Sequence, residues 1–243
     1  RMSRERYSRQ IALPGFGERA QEQLTDSAVG IMGVGGLGSP AAYYLAAAGV
    51  GHLILADYQK PDITNLNRQI LHWTEDIGQR SKPASAAWKL KRFNPDIMVE
   101  VREEEVSSLN IGKVFEGVDV VLDCLDSFAP RYILNDHSLS KGVPFVHAAV
   151  EGLHGQITVI EPGLTPCLRC LVPHPPPKKD QIPILGATAG VFGSLQAAEA
   201  VKLITGAGKP LLSKLLVGDL QYNSWEMIDI SRSRQCPACG KKK

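Results

Sequence analysis

Three glycines near the start of the chain have the spacing of a nucleotide-binding loop. Gly33, Gly35 and Gly38 satisfy the pattern G-x-G-x-x-G, after an apolar run and before a stretch of small residues. Glycines at this spacing let the chain turn tightly, let a phosphate approach the backbone and let a helix pack closely on a strand. The N–H groups at the start of such a helix also bind anions. The loop therefore predicts a bound nucleotide.

An acidic residue at a suitable distance supports this prediction. Asp57 ends the apolar run HLILAD, nineteen residues after Gly38. A carboxylate at that place accepts hydrogen bonds from ribose hydroxyls in dinucleotide-binding proteins. NAD and ATP fit these features equally well, so the loop and the acid together leave the nucleotide open.

The polar segment after Asp57 favours ATP. A dehydrogenase would usually enter its next helix at this point, whereas this chain continues with YQKPDITNLNRQILH, which carries Asn65, Arg68 and Gln69. A single arginine in a loop is commonly only solvated. Here the arginine is accompanied by amide side chains that can bind ribose and phosphate oxygens.

Two further charged residues are expected at the same crevice. Lys82 begins a predicted helix, and Asp126 follows the apolar run VDVVLDCL. Ligands of open α/β sheets bind outside the carboxyl ends of the strands, where Asp126 would lie. Its carboxylate is a suitable ligand for Mg²⁺. Cations, amides, an acid and a glycine loop together predict a site for a triphosphate under nucleophilic attack.

The pattern of apolar runs predicts the fold. From Ser27 onward, strand-like runs alternate with helical stretches, which indicates a mostly parallel sheet covered on both faces. After about Glu151 the runs GQITVIEP, KLLVGDL and NSWEMIDI alternate as antiparallel strands do. The expected fold class is α/β, a Rossmann-like doubly wound sheet extended by antiparallel C-terminal strands. Residues 1–26 are expected to form a helical arm and residues 27–243 a single domain.

Composition argues against several functional classes. The chain has 27 basic and 25 acidic residues, so its net charge of +2 gives no reason to expect nucleic acid or an anionic membrane as partner. No apolar run is long enough to span a bilayer, and the first residues are charged where a signal peptide would be apolar. We therefore expect a cytoplasmic protein.

Four of the five cysteines occur in two C-x-x-C pairs, Cys167 with Cys170 and Cys236 with Cys239. In a reducing compartment such pairs favour a metal over a disulfide, and four thiolates complete a tetrahedral zinc site. Because four protein ligands leave no open position for water, the zinc is expected to be structural. A redox function of the C-x-x-C pairs is the alternative. Cys124 lies in an apolar run and is interpreted as a small buried hydrophobe.

The chain resembles the ubiquitin-activating-like adenylyltransferases. The segments RYSRQI, GVGGLGS, NLNRQ, LDCLDSFAPR, GQITV, CLRC, GSLQAAEAVK and CPACG occur in the order of that family, over nearly all of residues 6–240. The resemblance is strongest to the bacterial and archaeal molybdopterin-synthase and thiamine-biosynthesis enzymes. It implies that the enzyme binds Mg²⁺ and ATP, adenylates the C-terminal glycine of a small ubiquitin-like (β-grasp) sulfur carrier, and releases pyrophosphate.

The resemblance also assigns roles to particular residues. Asp57 would bind the ribose, Lys82 the phosphates and Asp126 the magnesium, while Arg9 would enter the active site of the partner subunit of a homodimer. The catalytic set would be Arg9, Arg68, Lys82 and Asp126. The nucleotide-binding set would be Gly33, Gly35, Gly36, Gly38, Asp57, Asn65, Arg68, Gln69, Lys82, Asp126 and Ser127.

The chemistry of the implied reaction explains this collection of charges. A carboxylate must attack a phosphorus atom of a polyanion, and the two anions repel each other. Arg9, Arg68, Lys82 and Mg²⁺ would screen that repulsion and stabilise charge on the transferring phosphate. The step requires positioning and electrostatics and no side-chain nucleophile.

The sequence departs from the family pattern at three places. Lys82 comes one residue later than the usual phosphate lysine, so Arg80 is an alternative for that role. Ser127 stands where the family usually has asparagine. The expected crossover loop at residues 171–186 lacks the cysteine that some relatives use for covalent capture of the carrier. Whether a thioester or persulfide step occurs therefore stays open, and sulfur would come from a separate sulfurtransferase.

Other functions are weighed against this one. The same mechanism could adenylate a small-molecule carboxylate. An NAD-dependent oxidoreductase would explain the glycine loop and Asp57 but would leave Arg9, the NLNRQ segment and Asp126 without a role. A non-catalytic, zinc-stabilised binding module would not require Arg68 or Asp126 for activity.

Overall fold

The computed structural model describes residues 5–177 and 182–240, which contain eight strands in one sheet. The strands are β1 (Ala28–Met32), β2 (His52–Ala56), β3 (Met98–Arg102), β4 (Val120–Asp123), β5 (Phe145–Glu151), β6 (His154–Ile160), β7 (Lys214–Asp219) and β8 (Ser224–Asp229). The helices are α1 (Ser8–Ile11), α2 (Gly17–Asp26), α3 (Gly38–Ala48), α4 (Lys82–Phe93), α5 (Ile111–Val114), α6 (Phe128–Lys141), α7 (Leu168–Leu171) and α8 (Gly186–Thr205). Two short 3₁₀ turns span Ile63–Asn65 and Thr74–Asp76.

The spatial order of the strands is β3-β2-β1-β4-β5-β6-β7-β8. The strands from β3 to β5 pair in parallel, and β6, β7 and β8 extend the sheet by antiparallel pairings. This confirms the predicted α/β fold with antiparallel strands added at the C-terminal side. The strand order reverses between β1 and β4, and the carboxyl ends of those two strands form the crevice where such sheets bind ligands.

Successive side chains of each central strand point to opposite faces of the sheet and contribute to two hydrophobic cores, one on each face. Val29 and Ile31 of β1 face a core built with α3, α4 and α8, whereas Met32 faces a core built with α5 and α6. The same alternation separates Val120 and Leu122 from Val121 on β4. Strands that are buried on both faces have continuous apolar sequences, and this made the central strands easy to predict.

The N-terminal helices pack against the ends of α3 and α4. Tyr7 is buried, and its hydroxyl accepts a hydrogen bond of 2.8 Å from the Asn94 side chain at the end of α4. The side chains of Gln10 and Gln21 both donate to the carbonyl of Ala48 at the end of α3, each at 2.9 Å. These contacts fix α1 and α2 at the amino-end side of the sheet.

The loop after α7 follows the sequence-based expectation where it is described. Residues 172–177 form no helix or strand, and residues 178–181 lie outside the described part of the chain. None of the helices in the described ranges combines the length and the apolar character needed to cross a bilayer.

Two glycines of α8 provide a matched test of packing. A Cβ at Gly193 would lie 2.3 Å from the carbonyl oxygen of Leu37 and 2.6 Å from Pro40 Cγ, whereas a Cβ at Gly190 meets nothing within 4 Å. We expect Gly193→Ala to lower the free energy of unfolding by about 1–3 kcal/mol, because α3 and α8 must separate. Gly190→Ala should raise it by about 0.5–1 kcal/mol, because alanine favours helix.

Urea denaturation of the two variants and of the unchanged protein measures both effects. Equal stability changes in the two alanine variants would contradict the close α3–α8 contact.

Candidate active site

The glycine loop joins β1 to α3 at the reversal of strand order. Gly33 has a φ of +94°, and a Cβ there would lie 2.7 Å from the carbonyl oxygen of Cys124, at the end of β4. A Cβ at Gly38 would lie only 2.1 Å from the carbonyl oxygen of Gly33. Glycine is thus required at both positions by close backbone approach, and α3 begins directly after this loop.

Asp57 anchors this loop from the neighbouring strand. Its Oδ2 accepts a 2.9 Å hydrogen bond from the backbone N–H of Val34, and its Oδ1 accepts one of 2.9 Å from Gln59. Each carboxylate oxygen has a further lone pair, so Asp57 can hold the loop and still accept a hydrogen bond from a ligand hydroxyl.

Asn65 and Arg68 belong to the segment that covers the loop. Asp62 caps the 3₁₀ turn, and the Asn65 Oδ1 accepts a 3.1 Å hydrogen bond from the Asp62 N–H in return. The stem of Arg68 passes 3.4 Å from the position of a Cβ at Gly36. Its Nη1 donates to the carbonyl of Thr64 at 2.9 Å and to Asn67 Oδ1 at 2.8 Å. The stem of Arg68 therefore lies beside the glycine loop, and its guanidinium is held by residues of its own segment.

Gln69 offers a direct test of whether a polar ligand fits the site. Its side chain is 5% exposed and lies beside Gly35, and its Oε1 has no hydrogen-bond partner among the described residues. An unpaired buried carbonyl oxygen is destabilising by about 1–3 kcal/mol. A donor from a bound molecule, such as a hydroxyl or an amine, would remove that cost.

Lys82, and not Arg80, faces the carboxylates of the site. Lys82 begins α4 behind the N-cap Ser81, is 4% exposed, and donates from Nζ to Gln59 Oε1 at 2.6 Å. Burial lowers the pKa of Lys82, as does Arg68 to a smaller extent, whereas Asp57 and Asp126 raise it. All three of these charges therefore act on one ammonium group.

The alternative cation is engaged elsewhere. Arg80 Nη1 pairs with Asp76 at 3.1 Å, and its guanidinium lies 5.0 Å from the ring centre of Trp88. The structure thus places Lys82 inside the crevice and Arg80 against Asp76 and Trp88.

Asp126 and Ser127 lie between β4 and α6, on a support of buried charges. Asp126 is exposed and Ser127 is the N-cap residue of α6. Beneath them, Asp123 is fully buried, with its Oδ2 2.6 Å from His147 Nδ1 and its Oδ1 3.4 Å from Arg131 Nε. Burial alone would raise the pKa of Asp123, but Arg131 and His147 lower it further than burial raises it.

Arg131 connects the buried Asp123 to the backbone next to Asp126. Its Nη2 donates to the carbonyls of Leu125 at 2.5 Å and of Ala148 at 3.1 Å. The turn that carries Asp126 is therefore fixed by a buried ion pair rather than left as a free loop.

Arg9 does not lie with the other candidate residues. It is exposed on α1, which packs at the C-terminal end of α3. The glycine loop is at the other end of that helix, and eleven residues of α-helix span about 16 Å. Arg9 is thus separated from the glycine loop of its own chain by the length of α3.

The two C-x-x-C pairs meet in space. The four Sγ atoms of Cys167, Cys170, Cys236 and Cys239 all lie within 4.8 Å of one another. Sγ separations are 4.0 Å within the first pair and 3.6 and 3.3 Å across the pairs. Tetrahedral zinc with bonds of about 2.3 Å places its sulfurs about 3.8 Å apart. The cluster therefore fits a zinc ion in number, type and spacing of ligands.

Sequence reasoning missed several residues that shape the site. His72 contacts the glycine loop and Gln59 contacts Lys82 through side-chain hydrogen bonds; both lie in the polar segment YQKPDITNLNRQILH but outside its NLNRQ motif. Asp123 and His147 do carry a signal, because each is a titratable residue inside an apolar strand run. A polar group in such a run must find a partner when it is buried.

The fold and site define a nucleotide-binding α/β protein whose glycine loop faces cations and acidic side chains at the reversal of strand order. The chain matches the ThiF family over residues 7–238 and belongs to that family. The resemblance inferred from its motifs is confirmed.

Several named proteins are similar over nearly the whole chain. The heterocyst HesA protein of Trichormus variabilis is 42% identical over 237 residues, 97% of this chain and 88% of that protein. The sulfur carrier protein adenylyltransferase of Thermus thermophilus is 37% identical, with 97% and 90% covered. The SAMP-activating enzyme E1 of Haloferax volcanii is 39% identical, with 97% and 88% covered. These names confirm the predicted class of enzyme.

A solved structure agrees with the fold. The crystal structure of E. coli MccB with MccA-N7isoASN superposes with a TM-score of 0.88 at 25% identity, covering 97% of this chain and 75% of that one. Another crystal structure of MccB contains AMPCPP and MccA, and superposes with a TM-score of 0.86 at 25% identity.

Proposed function

We propose that this protein transfers the adenylyl group of ATP to the C-terminal glycine carboxylate of a small ubiquitin-like sulfur carrier. The observation that carries the proposal is the buried Lys82, whose Nζ donates to Gln59 while the Gln59 N–H donates to Asp57, the carboxylate that also holds the glycine loop. The names of the Thermus and Haloferax relatives support the carrier as acceptor. The ATP analogue in the MccB structure supports the nucleotide.

In the proposed reaction, a carboxylate oxygen forms a bond to the α-phosphorus, and the bond from that phosphorus to the bridging oxygen breaks. Pyrophosphate leaves, and no electron is gained or lost overall. The backbone of the glycine loop and the start of α3 bind phosphate oxygens, Asp57 accepts from the ribose, and Gln69 accepts a hydrogen bond from the ligand. Arg68 and Lys82 reduce the repulsion between the two anions.

Asp126 is the candidate ligand of Mg²⁺, which suits its exposed carboxylate at the end of β4. When bound, Mg²⁺ supplies neutralising charge to the phosphate oxygens. Arg131 and the buried Asp123 keep the Asp126 turn in place, so the carboxylate is presented without reorganisation.

We expect Arg68→Ala, Lys82→Ala and Asp126→Ala each to lower carrier-dependent exchange of pyrophosphate into ATP by about 100-fold or more, because each removes charge stabilisation at the reacting phosphate. The control is Lys91→Ala, which removes an exposed lysine from the same helix and should leave the rate unchanged. The assay measures exchange with a carrier ending in Gly-Gly and with the carrier lacking its last glycine.

Two results of that assay would count against the proposal. Exchange that does not depend on the terminal glycine would indicate a small-molecule carboxylate as acceptor, and a panel of such acids in the same assay would identify it. A larger loss in Arg80→Ala than in Lys82→Ala would reverse the assignment of the phosphate lysine.

We further propose that the protein acts as a homodimer in which Arg9 completes the site of the partner subunit. The position of Arg9 at the far end of α3 supports a role in trans. Beside α1 lies a groove of about 680 Å³, lined largely by apolar residues that include Leu13, Phe16, Tyr44 and Val201. Leu13 is 56% and Tyr44 60% exposed in the single chain, as expected of side chains that a second copy covers.

Mixed dimers test this arrangement. Arg9→Ala and Asp126→Ala should each be inactive alone, but a mixed dimer has one site with both residues intact. Random reassociation of equal amounts should restore about a quarter of the unmodified exchange rate, as expected for a closed twofold dimer. A mixture that stays inactive while sedimentation shows mixed dimers would refute the role in trans.

The four-cysteine cluster is proposed to hold a structural zinc ion. We expect about one zinc per chain, and Cys239→Ser should lose most of it and unfold at lower temperature, because metal binding contributes folding free energy. Cys124→Ala, which changes the buried cysteine outside the cluster, should retain the metal. Metal analysis and thermal unfolding measure the two effects. Full retention of zinc in Cys239→Ser would disprove this ligand set.

The carrier would leave the enzyme as an acyl-adenylate rather than as a covalent adduct of the crossover loop, because residues 171–186 contain no cysteine. Sulfur transfer to the activated carrier would then require a sulfurtransferase as donor.

A further inference from the structure

Both main-chain polar groups of one glycine-loop residue are held by side chains from other elements. The N–H of Val34 donates to Asp57 Oδ2 at 2.9 Å, and the carbonyl of Val34 lies 2.7 Å from His72 Nε2. Neither group has a partner within a helix or strand ladder, so these side chains replace regular secondary structure at this point. Asp57 has a role in the proposed function, whereas His72 does not.

The contacts of His72 define where its proton lies. A carbonyl oxygen only accepts hydrogen bonds, so Nε2 must carry the proton that it donates to Val34. The other ring nitrogen, Nδ1, lies 3.0 Å from Ser85 Oγ. His72 is 3% exposed, and burial, with smaller contributions from Lys82 and Lys89, lowers its pKa. The ring is therefore neutral, and its Nδ1 lies beside Ser85 Oγ, whose single proton is donated to Asp76 Oδ2 at 2.9 Å.

Ser85 is itself held by a buried cation. Lys89 Nζ contacts the carbonyl of Leu71 at 2.6 Å, Ser85 Oγ at 2.8 Å and the Asp76 carboxylate. An ammonium group has three N–H donors, and these three acceptors satisfy all of them. The lysine is thus fully paired, and its charge is compensated by Asp76 in spite of its burial.

These contacts connect two parts of the proposed ATP site, the helix that carries Lys82 and the glycine loop. Ser85 and Lys82 lie one turn apart on α4, so the helix that presents the phosphate lysine also orients His72. His72 in turn fixes the carbonyl of Val34, one residue after Gly33. The relative placement of the lysine and the glycine loop is therefore coupled through the contact of Ser85 with His72 and the hydrogen bond from His72 to Val34.

We propose that His72 is a positioning residue that holds the glycine loop in the form that binds the nucleotide. The inference rests on the proposed function for its consequence on ATP, but the order of the loop can be measured independently. Without the hydrogen bond from His72, the loop would have to be ordered at the moment of binding, which weakens ATP binding and leaves the chemical step little changed.

Two conservative substitutions separate this role from general packing. In His72→Gln the amide nitrogen corresponds to Nε2 and can still donate to Val34, whereas in His72→Asn it corresponds to Nδ1 and cannot reach Val34. We expect His72→Asn to raise the Kd and KM for ATP about 10-fold, the value of one hydrogen bond of roughly 1.4 kcal/mol, with kcat within about twofold. His72→Gln should restore most of the affinity.

The experiment uses the full chain with its carrier. Calorimetry gives the Kd for ATP, exchange kinetics give KM and kcat, and hydrogen–deuterium exchange follows the peptide that covers residues 33–38. That peptide should exchange faster in His72→Asn and at the unmodified rate in His72→Gln. His52→Gln, at the amino end of β2 and paired with Glu100, is the control and should change none of these quantities.

Each outcome decides the inference. Equal ATP affinity and equal loop exchange in the Asn and Gln variants would overturn it, as would a fall in kcat with an unchanged KM. If His72→Asn does not fold, Ser85→Ala replaces it, and an unchanged loop exchange rate there would overturn the inference. If the unmodified protein binds no ATP, the proposed function fails, while loop exchange still reports on His72.

Discussion

The approach of the glycine loop to the end of β4 is the contact on which the site depends. Gly33 and Gly38 have no side chains, so the backbone of the loop lies against the carbonyl of Cys124 and the start of α3 closes over it. The end of β1, the end of β4 and the first turn of α3 therefore meet at the base of the crevice. Asp57 and Asp126 follow the strands on either side of β1, and Lys82 faces both.

Buried ion pairs lie beneath the crevice. Asp123 with His147 and Arg131, and Asp76 with Lys89, are each removed from solvent and paired. Such groups rarely add stability compared with apolar packing, but a broken pair is costly. They therefore favour one arrangement of the chain near the candidate site.

Much of the fold was predictable because its signals are local. The runs HLILAD and VDVVLDCL are apolar because their strands are covered on both faces, and Ser81 with Lys82 and Pro83 marks the start of a helix through capping and proline chemistry. The candidate site was predictable where spacing along the chain encodes it, as in the glycine loop. The different surroundings of Arg80 and Lys82 could not be read from the sequence, since only the fold places Asp76 and Trp88 around the arginine. His72 was missed because its partner Val34 lies 38 residues away.

The four-cysteine cluster joins two points that are far apart along the chain. The segment between Cys170 and Cys236 includes α8, β7 and β8, so an ion shared by both pairs closes a long loop. Because the four thiolates come together only in the folded chain, loss of such an ion and separation of the C-terminal strands from the segment around α7 would occur together.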